Sequence, residues 1–184
     1  MAVYLIGEPG VGKTTVMGEL CAPYVVGEAA RLRGQLWGEP LTGGRWTGVR
    51  LGRSRGTFSG TDALGMSVNP DAVAWAAEDD LPQIIFGEGA RLANERFLLT
   101  LAARTDLLLV LLTASNAPER RRKRGTEQNP SWVKGRATAS HRMFDKAFEM
   151  GIPSFAIDTT YEQPSVIARM IRLAIDLPAD EAGA

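Results

Sequence analysis

The chain has 184 residues, of which 45% are hydrophobic and 23% are charged, and its 21 basic and 21 acidic side chains give zero net charge. This composition is typical of an ordinary soluble protein, and the length suits a single α/β domain over residues 1–184. No apolar run approaches the roughly 18 residues of a membrane span, and the single cysteine, Cys21, excludes an internal disulfide framework and a cysteine-based zinc site.

The N-terminal third begins with a strand and a helix that are separated by glycines. An apolar run predicts the first strand at residues 2–6, and a helix is predicted over residues 14–21. The following stretch is rich in glycine and arginine without a helical period, so we expect an acceptor-binding insert over about residues 27–68. The insert is expected to contain a small β-hairpin, with strands at residues 46–51 and 57–59 joined across residues 52–56.

Strands and helices then alternate towards the C-terminus. Asn69-Pro70-Asp71 combines a cap residue, a proline and an acid, which predicts a helix from Asn69 to about Asp80. The leucine-rich run at residues 106–112 predicts a strand buried on both faces, as in a parallel sheet. Asn129-Pro130 opens another helix, which could be interrupted at Gly135. Further strands are predicted at residues 83–86 and 154–157, and further helices at residues 90–104, 117–125 and 166–175.

This order of elements predicts an open, mostly parallel five-stranded sheet with helices on both faces. Right-handed crossovers put the ligand-binding loops at the carboxyl ends of the strands. The first of these loops is Gly7-Glu8-Pro9-Gly10-Val11-Gly12-Lys13-Thr14, which matches G-x-x-x-x-G-K-[ST] in full. Because it lies between a predicted strand and a predicted helix, we expect a working phosphate-binding loop.

The phosphate loop predicts a site for ATP and Mg²⁺. Its glycines let the backbone wrap a phosphate with the N–H groups pointing inward, and the dipole of the following helix adds positive charge there. Lys13 is expected to reach the β- and γ-phosphates, Thr14 to ligate Mg²⁺ through its hydroxyl, and Thr15 to support the phosphates. The predicted nucleotide-binding residues are Gly7, Pro9, Gly10, Val11, Gly12, Lys13, Thr14 and Thr15.

The loop alone does not distinguish a kinase from a GTPase or a motor ATPase. The sequence lacks the Asn-Lys-x-Asp motif of a GTPase, and neither buried strand ends in Asp-Glu as a motor ATPase requires. The strand at residues 83–86 is instead followed by Glu88 and Arg91. Glu88 could join the Mg²⁺ shell or orient an acceptor hydroxyl, and Arg91 could face the transferred phosphate; Glu88 could equally be a charge partner of a helix N-terminus.

An arginine-rich segment follows the leucine-rich strand and predicts a lid over about residues 117–138. Arginines that close over the transferred phosphate contribute much of the catalysis in phosphoryl transfer. We therefore predict that Arg120 or Arg124 is catalytic, and that Trp132 and Arg136 contact the substrate. The alternative is a solvated helix face.

The insert carries basic and aromatic residues together. Arg50 and Arg53 are predicted substrate contacts, since a DNA-borne acceptor needs a basic groove and a way to take a base out of the stack. Asp62 follows the predicted hairpin and could accept the proton of the acceptor hydroxyl as a general base. Its alternative role is an Asx turn that caps the next segment.

The phosphate loop, the Glu88/Arg91 turn and the arginine segment resemble the P-loop nucleoside and nucleotide kinases. Residues 58–62, 87–94 and 128–138 are also similar to segments of bacteriophage kinases that phosphorylate 5-hydroxymethyluracil within DNA. The resemblance implies an ATP- and Mg²⁺-dependent phosphotransferase whose acceptor is that base in DNA, or else a free nucleoside or nucleoside monophosphate. A P-loop ATPase or regulator without an acceptor stays open. With no signal peptide, we expect a cytoplasmic protein, in the host cytoplasm if phage-encoded.

Overall fold

The computed structural model describes residues 1–54, 59–125 and 128–176. Within these ranges, helices flank both faces of one eight-stranded sheet. The strands are β1 (Ala2–Ile6), β2 (Val25–Val26), β3 (Ala30–Arg33), β4 (Leu36–Gly43), β5 (Trp46–Leu51), β6 (Ile84–Glu88), β7 (Leu107–Thr113) and β8 (Ser154–Asp158). The helices are α1 (Lys13–Cys21), α2 (Asn69–Ala76), α3 (Glu95–Ala102), α4 (Ala117–Lys123), α5 (Pro130–Glu149) and α6 (Pro164–Ala174), and a 3₁₀ turn covers Gly60–Ala63.

The sheet order is β2-β4-β5-β6-β1-β7-β8, with β3 also paired to β4. Strands β5, β6, β1, β7 and β8 are parallel to one another, whereas β2 and β3 are antiparallel to β4, and β4 to β5. The α/β class is therefore confirmed, but the expected five-stranded, mostly parallel sheet is wrong. Because β1 lies between β6 and β7, the loop after β1 leaves the middle of the carboxyl edge of the sheet.

The predicted hairpin in the insert is wrong. Strand β5 pairs with β4 on one side and β6 on the other, so both of its edges are occupied. The real hairpin is β4–β5, and the glycines and proline within β4 had hidden its strand pattern. Ser59 lies outside any strand. Residues 55–58, which the predicted return strand needed, lie outside the described residues.

Three helix predictions also change. Helix α2 ends at Ala76 rather than near Asp80, and it begins at Asn69 with Val68 as the cap. Helix α3 begins only at Glu95, because the side chain of Asn94 accepts a hydrogen bond from the Phe97 N–H at 3.1 Å. Helix α5 is continuous across residue 135, and its predicted Asn129 cap is confirmed by bonds from the N–H groups of residues 131 and 132. None of the helices in the described ranges is long and apolar enough to cross a membrane.

Strand β1 separates two apolar layers. Tyr4 and Ile6 pack with α2, α3 and α5 on one face, while Val3 and Leu5 pack with α1 and α6 on the other. All four side chains are at most 1% exposed. Alternation of this kind is expected of a strand with both faces covered, and it leaves the loop at the end of β1 on a rigid base.

The Tyr4 hydroxyl joins β1 to the 3₁₀ turn. It lies 3.0 Å from the Thr61 hydroxyl and donates to the Gly89 carbonyl at 3.1 Å. Burial raises the pKa of Tyr4 above its ordinary value, so the phenol is neutral at physiological pH. Thr61 in turn donates to the carbonyl of Glu88 at 2.7 Å. This buried polar chain positions the 3₁₀ turn against the end of β6.

We expect Tyr4→Phe to lower the melting temperature by about 2–4 °C, or roughly 1 kcal/mol, because it removes the hydroxyl that donates to the buried Gly89 carbonyl. The matched control is Tyr161→Phe, which removes a hydroxyl from a side chain that is 93% exposed. Thermal unfolding followed by circular dichroism measures both. Equal melting temperatures for the two variants would show that the buried chain contributes nothing.

Candidate active site

Three glycines with positive φ shape the phosphate loop between β1 and α1. Gly7, Gly10 and Gly12 have φ values of 143°, 91° and 91°, a range that L side chains rarely adopt. A Cβ atom on Gly7 would lie 2.3 Å from the Leu112 carbonyl oxygen, and one on Gly10 would lie 2.8 Å from that of Ala117. The loop is therefore packed directly against the end of β7 and the start of α4.

The predicted nucleotide-binding residues divide into two groups. Val11 is fully buried beneath the loop, and Thr15 is an exposed residue of α1 that is not among the described lining residues. The others border a cavity of about 440 Å³ at the carboxyl edge of the sheet. These lining residues are Gly7, Pro9, Gly10, Gly12, Lys13 and Thr14.

The Lys13 ammonium lies over the loop. Its Nζ donates to the carbonyl oxygens of Gly7 at 2.8 Å and Glu8 at 2.9 Å. Burial lowers the pKa of Lys13, and the nearby Glu88 carboxylate opposes that shift. Phosphate oxygens are stronger acceptors for an ammonium than backbone carbonyls, so Lys13 is placed to exchange these bonds for bonds to a bound phosphate.

Two carboxylates enter the same cavity. Glu88 ends β6, is 3% exposed, and its Oε2 accepts a hydrogen bond from the Thr14 hydroxyl at 3.1 Å. Burial raises the pKa of Glu88, opposed by Lys13 and by the Thr14 hydrogen bond. Asp62, in the 3₁₀ turn, accepts from the Ala90 N–H at 2.9 Å. The structure thus gives Asp62 a bond to the loop that follows β6, in place of the Asx turn that was the alternative to its role as a general base.

The carboxylates and the Thr14 hydroxyl form a site that suits Mg²⁺ held partly by phosphates. They do not form a metal site built from protein ligands alone. Nowhere in the described part of the chain do three or more His, Cys, Asp or Glu side chains form a metal-binding group. Mg²⁺ is commonly held by one or two carboxylates together with substrate phosphates, and it prefers oxygen ligands. The adjacent oxygens of Thr14 and Glu88 fit that requirement, as the sequence predicts.

Four arginines complete the cavity wall. Arg91 follows β6, Arg121 and Arg124 belong to α4 or its cap, and Arg136 belongs to α5. The Arg136 guanidinium lies 5.2 Å from the ring centre of Trp132, which also borders the cavity. With Lys13 they give five basic groups against the two carboxylates, a balance that favours a phosphate-bearing ligand.

Arg121 contributes to the site although it was not among the predicted site residues. Its guanidinium donates to the Glu8 carboxylate at 3.2 Å and to the Pro9 carbonyl, so it contacts the phosphate loop itself. The structure explains this contact, because Arg121 lies one turn after Ala117, which packs against Gly10 and is fully buried. Ser59 and Gln128 also border the cavity; both lie in segments that resemble the bacteriophage kinases, but neither was predicted to be a site residue.

Arg120 lies behind the loop rather than in the described cavity lining. Its guanidinium donates to the Thr159 hydroxyl at 3.2 Å and to the Thr159 carbonyl at 2.7 Å. The Thr159 hydroxyl donates to the Val11 carbonyl at 2.7 Å. Of the two arginines predicted to be catalytic, the structure therefore places Arg124 at the cavity and gives Arg120 contacts that support the loop.

Arg50 and Arg53 are also outside the described lining. Arg50 forms an ion pair with Glu39 on the neighbouring strand β4. Arg53 lies 4.8 Å from the ring centre of Trp37, whose ring also contacts Arg31 at 5.4 Å. Neither of these predicted substrate contacts borders the cavity, although the Arg50 charge also acts to lower the pKa of Glu88.

A glycine-rich phosphate loop after the first of five parallel strands, with a buried acid at the end of the neighbouring strand, defines a P-loop kinase fold. A sequence model of the P-loop Nucleotide Kinase3 family matches residues 1–174. The match covers most of the chain, and the protein belongs to this family. Comparison with curated proteins gives no match.

We expect Glu88→Gln to stabilise the protein in the absence of nucleotide and Mg²⁺, because burial disfavours the charged carboxylate. Below the ordinary glutamate pKa of 4.5, folded and unfolded chains both carry the protonated acid, so the variant gains nothing there. As pH rises through the raised folded pKa, the penalty in the wild type becomes complete. The expected gain at neutral pH is about 2–4 °C in melting temperature.

The control for this experiment is Glu28→Gln, which removes the same charge from an exposed side chain. Melting temperatures of the three proteins are compared across the acidic-to-neutral range. A Glu88→Gln gain that is the same at every pH, or that Glu28→Gln reproduces, would contradict the assigned cause.

Proposed function

We propose that this protein is an ATP-dependent kinase that transfers the γ-phosphate to a hydroxyl or phosphate acceptor of nucleoside chemistry. The observation that supports this most is the convergence of Lys13, Thr14, Glu88 and Asp62 on one arginine-lined cavity. A nucleotide-binding switch protein needs the phosphate loop and a metal ligand. It does not need a second carboxylate, Asp62, or the arginines that line the same cavity.

On the donor side, the loop amides and Lys13 hold the β- and γ-phosphates. Lys13 exchanges its bonds to the Gly7 and Glu8 carbonyls for bonds to phosphate oxygens. Thr14 and Glu88 would hold Mg²⁺, which supplies neutralisation of the phosphate charge. The Glu88 carboxylate must be ionised to do this, and Lys13 and the Thr14 hydroxyl favour that form.

On the acceptor side, Asp62 orients the attacking group. Its carboxylate is held by the Ala90 N–H and forms no direct ion pair among the described residues, although its charge also acts to raise the pKa of Lys13. It is therefore suited to accept the proton of an acceptor hydroxyl. Arg91, Arg124 and Arg136 surround the space between donor and acceptor and would stabilise charge on the transferred group.

For the acceptor itself, we propose 5-hydroxymethyluracil in DNA first. Each of the three segments that resemble the bacteriophage kinases contributes to the cavity, through Asp62, Arg91 and Trp132 among others. An aromatic ring beside arginines suits a base taken out of the stack.

A free nucleoside or nucleoside monophosphate is the second candidate. It is favoured by the engagement of Arg50 with Glu39 and of Arg53 with Trp37, which leaves the insert without these two arginines for DNA. An ATPase or regulator without an acceptor is the third, and the same assay tests it.

The deciding experiment incubates the protein and γ-labelled ATP with four sets of acceptors: hydroxymethyluracil duplex, thymine duplex, nucleosides and nucleoside monophosphates. Label on the modified duplex alone supports the first candidate. Label on a free nucleoside or monophosphate replaces it with the second. Release of inorganic phosphate without any labelled acceptor would overturn the kinase assignment.

We expect Arg124→Ala to lower kcat by at least about 100-fold with little change in the KM for ATP, because Arg124 acts on the transferred group. The matched control is Arg122→Ala, which changes an exposed residue of α4 and should change kcat less than about 3-fold.

Arg120→Ala should instead raise the KM for ATP, since Arg120 supports the loop through Thr159. Steady-state kinetics with the acceptor identified in the labelling assay separate the effects on kcat from those on KM. Equal losses of kcat in Arg122→Ala and Arg124→Ala would refute the role of Arg124.

A further inference from the structure

A second groove, of about 650 Å³, runs along α5 and shares no lining residue with the catalytic cavity in the described part of the chain. One wall is a row of α5 residues spaced four apart, which places them on one face of the helix. The row is Lys134, Thr138, Arg142 and Lys146. The opposite wall comes from Ala93 and Glu95, at the start of α3.

Small residues keep this groove open. Gly135 and Ala139 lie beside the basic row, and Ala93 faces them. A Cβ atom on Gly135 would meet nothing within 4 Å. Glycine inside a helix costs about 1 kcal/mol relative to alanine. At this position no close packing contact offsets that cost.

The groove has an excess of positive charge. Lys146 pairs with Glu95 at 3.2 Å, whereas Lys134 and Arg142 form no ion pair among the described residues. Lys134 and Lys146 are separated by about 18 Å along the helix, at 1.5 Å per residue. Basic groups spread over that length suit a chain of anionic groups better than a single phosphate.

The groove continues from the catalytic cavity along the first turn of α5. Ser131 borders the groove and its neighbour Trp132 borders the cavity. The Trp132 side chain is 43% exposed and carries Arg136 against its ring. An exposed aromatic ring next to a basic track is the usual combination in proteins that bind single-stranded nucleic acid.

We propose that the α5 groove binds the phosphodiester backbone of a nucleic acid strand, with a base stacked on Trp132 at the entrance to the cavity. Lys134 and Arg142 contact successive phosphates on the strand. As a description of how the acceptor is held, this rests on the proposed function; as a binding site it stands without catalysis. An acidic protein would use the same charges, but it has no base to offer Trp132.

Binding is measured by fluorescence anisotropy with a fluorescein-labelled, thymine-containing single-stranded oligonucleotide, without ATP. Lys134→Gln and Arg142→Gln should each weaken binding roughly 5-fold and reduce the slope of log affinity against log salt by about 0.7. Ala139→Glu, which puts a carboxylate on the exposed face of the helix beside Arg142, should abolish it. The matched control is Arg169→Gln on α6, which packs on the opposite face of the sheet and should not change affinity.

The proposal is wrong if Arg142→Gln and Ala139→Glu bind the oligonucleotide as tightly as the wild type while their melting temperatures are unaltered. It is also wrong if polyglutamate binds as tightly as the oligonucleotide. In the kinase assay, the groove variants should raise the KM for the DNA acceptor and leave the KM for ATP unchanged. If no DNA is phosphorylated but the variants still weaken oligonucleotide binding, the proposed acceptor fails and the groove is upheld.

Discussion

The hydrogen bond from Thr14 to Glu88 is the contact on which the site depends. It joins the first turn of α1 to the end of β6, so that the phosphate loop and the carboxylate cannot move independently. Further contacts hold that carboxylate in its buried position. The 3₁₀ turn passes so close that a Cβ on Gly60 would lie 2.6 Å from the Glu88 Cγ, while Thr61 donates to the Glu88 carbonyl and Tyr4 to the Gly89 carbonyl. A buried acid of this kind costs stability until a cation reaches it. The fold therefore maintains a buried carboxylate that Lys13 stabilises in part and that a bound metal ion would stabilise further.

The far side of the loop is held by a different set of contacts. Thr159, at the end of β8, donates to the Val11 carbonyl, and Arg120 holds Thr159 in turn. Helix α4 packs against Gly10, and Arg121 contacts the Pro9 carbonyl. The loop is thus fixed from both sides of β1. These contacts hold the loop in place without a bound ligand, and under the proposed function such preorganisation would favour electrostatic stabilisation of the phosphates.

The parts of the structure that local sequence defines were predicted well. The phosphate loop, strand β1, the buried leucine-rich strand and the Asn129 cap each depend on residues close together in the chain. The features that were not predicted depend on contacts between residues that are distant in sequence. Strand β4 contains Gly38 and Pro40, which disfavour strands locally, but it is stabilised by pairing with β5 and β3. Because the antiparallel strands of the insert were missed in this way, five strands were predicted where the sheet has eight. Likewise, no local pattern shows that Arg50 meets Glu39.

These partner choices divide the arginines by function. In the insert, Arg33 pairs with Glu78, Arg50 with Glu39, and Arg53 stacks on Trp37, so the charge there holds the added strands in place. Arg121 and Arg124, in α4 and its cap, and Arg136 of α5 border the cavity at the phosphate loop, and the next turns of α5 extend the positive charge beyond it. Under the proposed function, an anionic acceptor would follow the unneutralised charge from the cavity along α5 rather than across the insert. The insert would then shape the carboxyl edge of the sheet, and α5 would be the element that contacts the acceptor.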